Sequence, residues 1–233
     1  QVLLKENVCR ILKKYIKEQV SEEKKLETDA DNKNGYSDSV LQNYNIHKEP
    51  EEITLKGNIL LYTSTGLINI AAIPSGIKFS GEDIKKIGGI VVQANNFITV
   101  ENKTSYLRYR DDDSVIFFLS GFMNRFQVDF LRKVYTDNPS KRYLHFGDID
   151  ARGFRIYNDL CNKTGIPFHT YFMSEKELAD PYYENYLVKL SANDREGLMA
   201  LSSNAEYENT VEYMLEHNVK LEQEMVSYRL MNQ

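Results

Sequence analysis

Three acidic residues stand where short apolar runs end. Phe97-Ile98-Thr99-Val100 leads directly into Glu101, and Lys141-Arg142-Tyr143-Leu144-His145-Phe146-Gly147 leads into Asp148-Ile149-Asp150. Alternate residues of an extended chain share a face, so Asp148 and Asp150 point to one side wherever that geometry persists. Carboxylates held close together raise one another's proton affinity unless a cation joins them, and a hard ion such as Mg²⁺ accepts carboxylate and water oxygens. The pattern points to Mg²⁺ or Mn²⁺, as one or two ions, on Glu101, Asp148 and Asp150. An acidic loop that merely caps a helix uses the same residue types. Gly147 relieves crowding ahead of the pair, and Gly153 lets the backbone turn tightly into the next helix.

Soft-ligand chemistry finds no support. The 233 residues include two cysteines, Cys9 and Cys161, far apart and without CxxC spacing, so neither a zinc site nor a disulfide framework is indicated. The four histidines, at 47, 145, 169 and 217, form no ligand-spaced pair. His145 falls inside a strand and reads as a core residue with a satisfied ring. Any metal is expected on oxygen.

Positioning these acids requires a folded core, and 42% hydrophobic with 27% charged content is enough to bury one. No apolar run approaches the roughly 20 residues that cross a bilayer, and the first residues are amphipathic rather than signal-like, which predicts a cytoplasmic protein without membrane association. The chain opens at Gln1, which suggests a piece of a longer protein. Residues 1–26 carry apolar positions at helical spacing, and residues 27–50 are polar, with Asn-Gly and Pro, and read as a linker. Residues 51–87 read as a β-hairpin attachment turning at Ser64-Thr65-Gly66, followed by a short helix capped at Ser80.

From residue 88 the pattern alternates buried strands with amphipathic helices, predicting an α/β domain over 88–233. Its strands are expected at GIVVQA, FITV, SVIFFLS, KRYLHFG and IPFHTYFM, apolar throughout as in a parallel sheet covered on both faces. Helices are expected between them and in the tail. Ligands of such sheets collect beyond the carboxyl ends of the strands, the rim where all three acids fall.

The net charge of −5 is unevenly spread: 13 basic against 13 acidic residues over 1–100, 11 against 9 over 101–163, and 5 against 12 over 164–233. With metal neutralising the acids, the middle segment becomes locally basic. Arg152 and Arg155 follow the acidic loop, where they would either hold phosphates or pair with the acids. Lys103, just past Glu101, would touch phosphate or simply begin a helix.

The order of Glu at one strand end, then VIFFLSGF with Gly121, then HFGDIDARGFRI resembles the TOPRIM fold of topoisomerases, primases and several nucleases, over residues 88–172. LKGNILLYTSTGLINI, ITVENKTSYL, HFGDIDARGFRIYNDL and LEQEM are closer still to the C-terminal domain of JetD. This is the nuclease subunit of bacterial Wadjet anti-plasmid systems and is similar to the A subunit of topoisomerase VI. FLSGF departs from the pattern, with one glycine where a pair is expected. The resemblance implies a TOPRIM-type, Rossmann-like fold and a metal-dependent endonuclease acting on double-stranded plasmid DNA. It implies an SMC-like ATPase complex as partner, with a homodimer where both strands are cut. It further suggests Glu222 and Glu224 as outer-shell acids, against the alternative of a solvated helix face. Two other functions fit the same residues: a topoisomerase VI A-like or recombination-initiating DNA strand-transferase with a tyrosine nucleophile, and a TOPRIM-like module that binds DNA or protein without cutting.

Overall fold

The computed structural model describes residues 51–201 and 204–232. The helix and linker expected over residues 1–50 lie outside the described residues.

The central element is a six-stranded sheet in the order β4-β1-β7-β6-β8-β9. Its middle comprises β6 (Asn96–Val100), β7 (Ser114–Phe118), β8 (Arg142–Phe146) and the short β9 (His169–Thr170), all parallel. β6 and β8 are apolar over nearly their whole length because both faces are covered: Phe97, Ile98, Val100, Leu144 and Phe146 are all buried. On the far side of β7 the sheet turns antiparallel, with β1 (Glu52–Lys56) pairing both β7 and β4 (Ile77–Ser80). The fold is thus mixed α/β and Rossmann-like, with a sheet that is parallel where the acids leave it.

Two features differ from expectation. GIVVQA does not join the parallel sheet. As β5 (Ile87–Val92) it pairs antiparallel with β2 (Ile59–Thr63), which also carries β3 (Gly66–Asn69), making a separate three-stranded sheet. Its apolar letters conceal an alternation of buried Ile90 and Val92 with the more exposed Gly89 and Val91, which suits a one-sided sheet. Conversely β1 and β4, drawn from the segment expected as an attachment, extend the central sheet. The hairpin turn at Ser64-Thr65 is present, and the short helix after Ser80 is a 3-10 turn, Gly81–Lys86, capped by the Ser80 hydroxyl.

Helices α1 (Lys103–Arg108), α2 (Arg125–Asp137) and α3 (Ala151–Thr164) connect the parallel strands. Asn124 and Gln127 form a reciprocal cap at the start of α2, and Gly165 ends α3 in the left-handed conformation. Rings of Tyr143, Phe97, Phe117 and Phe130 run through the core at centroid separations of 5.8, 6.0 and 5.7 Å. The C-terminal part supplies α4 (Glu175–Ala179), the paired strands β10 (Val188–Lys189) and β11 (Val219–Lys220), α5 (Ala192–Met199), α6 (Glu208–His217) and α7 (Gln223–Leu230). Among the described residues, no helix is long and apolar enough to cross a membrane.

Candidate metal centre

From β6 the chain moves to β7 on one side, then returns past β6 to β8 on the other. The carboxyl ends of β6 and β8 therefore flank the point where strand order reverses, the place where such sheets open a crevice. Glu101 leaves β6 there and its amide donates to Phe146 O at 3.1 Å, which ties it to the end of β8. Asp148 and Asp150 follow on the next loop.

Each acid is held differently. Glu101 is 9% exposed, and its Oε2 is buried without a hydrogen-bond partner. Burial, then the charges of Asp148 and Asp150, push its pKa up to about 7, with the Arg152 guanidinium and the Asp148 amide opposing. Asp148 accepts from the Gln223 amide at 2.7 Å, which lowers its pKa, yet burial first and then the charges of Glu222, Asp150 and Glu224 push it up to about 6. Asp150 is the N-cap of α3, accepting from the Gly153 amide at 2.7 Å. Such a concentration of charge, with burial raising proton affinity, makes this rim a candidate site for a cation.

The glycines serve this loop. A Cβ on Gly153 would lie 2.1 Å from Asp148 O, so only glycine admits the approach of α3 to the acidic loop. A Cβ on Gly147 would stand 2.9 Å from His145 Nε2 and 3.1 Å from Glu101 Oε2. Gly121 has φ of +103°, a conformation costly to any other residue.

His145 departs from expectation. It is fully buried and its Nδ1 lies 2.9 Å from the Thr99 hydroxyl, but Nε2 has no partner, so the ring is only half satisfied. Burial pushes its pKa down to about 3, which keeps the imidazole neutral. Two orphaned polar atoms, one on His145 and one on Glu101, therefore crowd Gly147 closely enough to exclude a side chain there.

Gln223 is the residue that sequence reasoning missed. It is fully buried, its Oε1 accepts from the Asn102 amide at 2.8 Å, and its Nε2 donates to Phe146 O at 2.9 Å. With its own amide on Asp148, one glutamine ties both acid-bearing strand ends to α7. Next to it, Leu221 exchanges both backbone hydrogen bonds with Ile149, the residue between the two aspartates. The signal in the sequence was the LEQEM segment, where the flanking acids drew attention instead. Glu222 is exposed and Glu224 half-buried.

The basic candidates separate. Arg152 is exposed, and its Nη2 lies 3.3 Å from where a Gly121 Cβ would stand, beside the acids. The Arg155 guanidinium instead covers Gly197 of α5, whose Cβ would come within 2.5 Å of it. Lys103 is exposed at the start of α1. None of the three takes part in an ion pair among the described residues.

Residues 60–233 match the family model described as Wadjet protein JetD, C-terminal. The chain belongs to the JetD C-terminal family. No curated protein matches the chain. The matched region runs from β2 through α7, so in this family member it contains the hairpin, the three acids and the Gln223 tie together.

Among the described residues, no three His, Cys, Asp or Glu side chains stand grouped as a ready-made metal-binding set. The donors nonetheless fit a hard divalent ion, which keeps several of its waters and needs only one or two carboxylates from the protein. The unpartnered, buried Glu101 oxygen is the observation that supports the fit.

Proposed function

We propose that this chain is a metal-dependent DNA endonuclease with a TOPRIM-type site, working as the nuclease component of a Wadjet plasmid-defence assembly. The observation that carries the reading is the buried Glu101 carboxylate, one oxygen of it unpartnered, within electrostatic reach of Asp148 and Asp150 at the carboxyl rim of the parallel sheet. Buried acids of this kind cost stability, and a fold retains them where their charge is used.

Glu101, Asp148 and Asp150 would hold the ion. When bound, a divalent cation supplies Lewis-acid stabilisation of phosphate charge and lowers the pKa of water. The protein's part is orientation. The Gln223 amide fixes Asp148, the first turn of α3 fixes Asp150, and Gln223 holds the ends of β6 and β8 in register. Glu101, whose pKa is raised to about 7 in the metal-free site, would either share a second ion or serve as general base or acid for the attacking water and leaving oxygen. Arg152 at the mouth offers a guanidinium to the DNA backbone, and Lys103 an ammonium. Breaking both strands of plasmid DNA calls for two such sites, supplied by a homodimer, and an SMC-like ATPase complex would present the DNA.

The test is nicking and linearisation of supercoiled plasmid in Mg²⁺ or Mn²⁺ by the full chain, compared with Glu101→Ala and Asp148→Ala. The expected result is loss of at least a hundredfold in rate for each variant. Unchanged cutting in both would refute the assignment.

A further inference from the structure

A cavity of about 430 Å³ lies between the start of α1, the β1–β4 edge and the turn that follows β7. Two contacts link it to the candidate metal centre. The turn is anchored to the strand that bears Glu101, since the Leu119 amide donates to Val100 O at 2.9 Å. On its other side Gly121 meets Arg152, the guanidinium whose charge Glu101 feels.

The lining has the chemistry of a nucleotide subsite. Ser120 and Gly121 both have positive φ, at 60° and 103°, and they precede Phe122, whose ring is 53% exposed. Leu107 on α1, 52% exposed, lines the cavity from the opposite wall. Large apolar side chains so exposed on one cavity offer a stacking surface, and an aromatic face accepts any base. Glu52 and Lys78 neutralise each other across β1 and β4. Lys103 is left as the uncompensated charge of the lining, with no hydrogen-bond or ion-pair partner among the described residues. An aromatic face beside a free ammonium matches a base attached to its phosphate.

We propose that this cavity receives one unstacked nucleotide of the DNA strand next to the phosphate held at the acids, with its base on Phe122 and its phosphate on Lys103. A base stacked inside an intact duplex cannot enter a recess of this kind, so the occupant must be unpaired or turned out of the helix. The site therefore favours DNA that is locally melted, bulged or sharply deformed. This inference rests on the nuclease reading above and adds a substrate preference to it.

The experiment measures affinity of the full chain, in Ca²⁺ so that little is cut, for a duplex carrying a one-nucleotide bulge and for the same duplex fully paired. The expected result is roughly tenfold tighter binding of the bulged DNA, the scale of one base on an aromatic side chain. In Phe122→Ala that preference disappears while binding to paired duplex is unchanged. Phe122 is exposed, so the variant folds, and a melting curve checks it. Lys103→Ala weakens both DNAs and lowers the salt dependence by about one phosphate contact. Equal affinity for the two DNAs, or a preference that survives in Phe122→Ala, overturns the proposal. A chain that cuts plasmid in a Glu101-dependent way but shows no preference loses only the cavity. One that neither binds nor cuts DNA loses the nuclease reading as well.

Discussion

Glu101 sets function against stability. Its folded pKa of about 7 lies above the unfolded value near 4.5. For a group raised in this direction the contribution to stability is complete below the unfolded pKa and is lost as pH rises through the folded one. Metal-free protein should therefore weaken between about pH 4.5 and 7, by on the order of 3 kcal/mol from this residue. Glu101→Gln removes the charge and keeps the shape. In chelator at pH 8 its melting temperature should exceed that of the parent, while plasmid cutting is lost. Added Mn²⁺ should raise the melting temperature of the parent and leave the variant nearly unmoved. A parent that melts at the same temperature with and without chelator, at every pH, would remove the cation from the account.

At the level of elements the site depends on two attachments to the strand ends. One is the close approach of α3, where Gly153→Ala would drive a methyl group into Asp148 O at 2.1 Å. The chain must shift, with an expected loss of about 2 kcal/mol or more by chemical denaturation. The other is Gln223. In Gln223→Ala the backbone amide still serves Asp148 and Phe146 O keeps the Glu101 amide, but the Asn102 amide loses its acceptor, at about 1–3 kcal/mol. Calorimetric Mn²⁺ affinity should fall roughly 10–100-fold, the usual effect of freeing an outer partner of a metal ligand. Unchanged affinity would restrict Gln223 to a purely structural role. The attachments also mark where reading the sequence worked. FITV ending on Glu101 and KRYLHFG ending on Asp148 were legible because central parallel strands are apolar on both faces and stop abruptly at their polar rim. Gln223 was not, because its partners lie 77 and 121 residues away and a glutamine between two glutamates looks like helix surface. GIVVQA was misplaced because valine and isoleucine suit a one-sided antiparallel strand as well as a buried parallel one. The orphaned nitrogen of His145 was equally hidden, since strand membership predicts burial and says nothing of hydrogen-bond partners.

Over the whole chain, charge opposes DNA binding until the acids are neutralised. The net charge is −5 and the acidic excess falls in residues 164–233, which include Glu222 and Glu224 beside Asp148. Without metal this rim repels phosphate, and Arg152 and Lys103 act against it alone. Ca²⁺, which occupies oxygen sites and generally supports little cutting, should therefore tighten binding to duplex DNA about tenfold or more over chelator, read by fluorescence anisotropy. Raising salt should weaken the Ca²⁺ complex steeply, as expected where phosphate contacts supply most of the affinity. Equal affinity in Ca²⁺ and chelator would mean that DNA docks elsewhere on the protein.

The exchange of hydrogen bonds between Ile149 and Leu221 has a consequence for biosynthesis. The sheet and the three acids are translated well before the segment that closes over them, so a growing polypeptide on the ribosome carries Asp148 without its amide donor and the two strand ends untied. On the nuclease proposal, competence to cut would arrive only once the stretch bearing Leu221 and Gln223 has emerged and folded back.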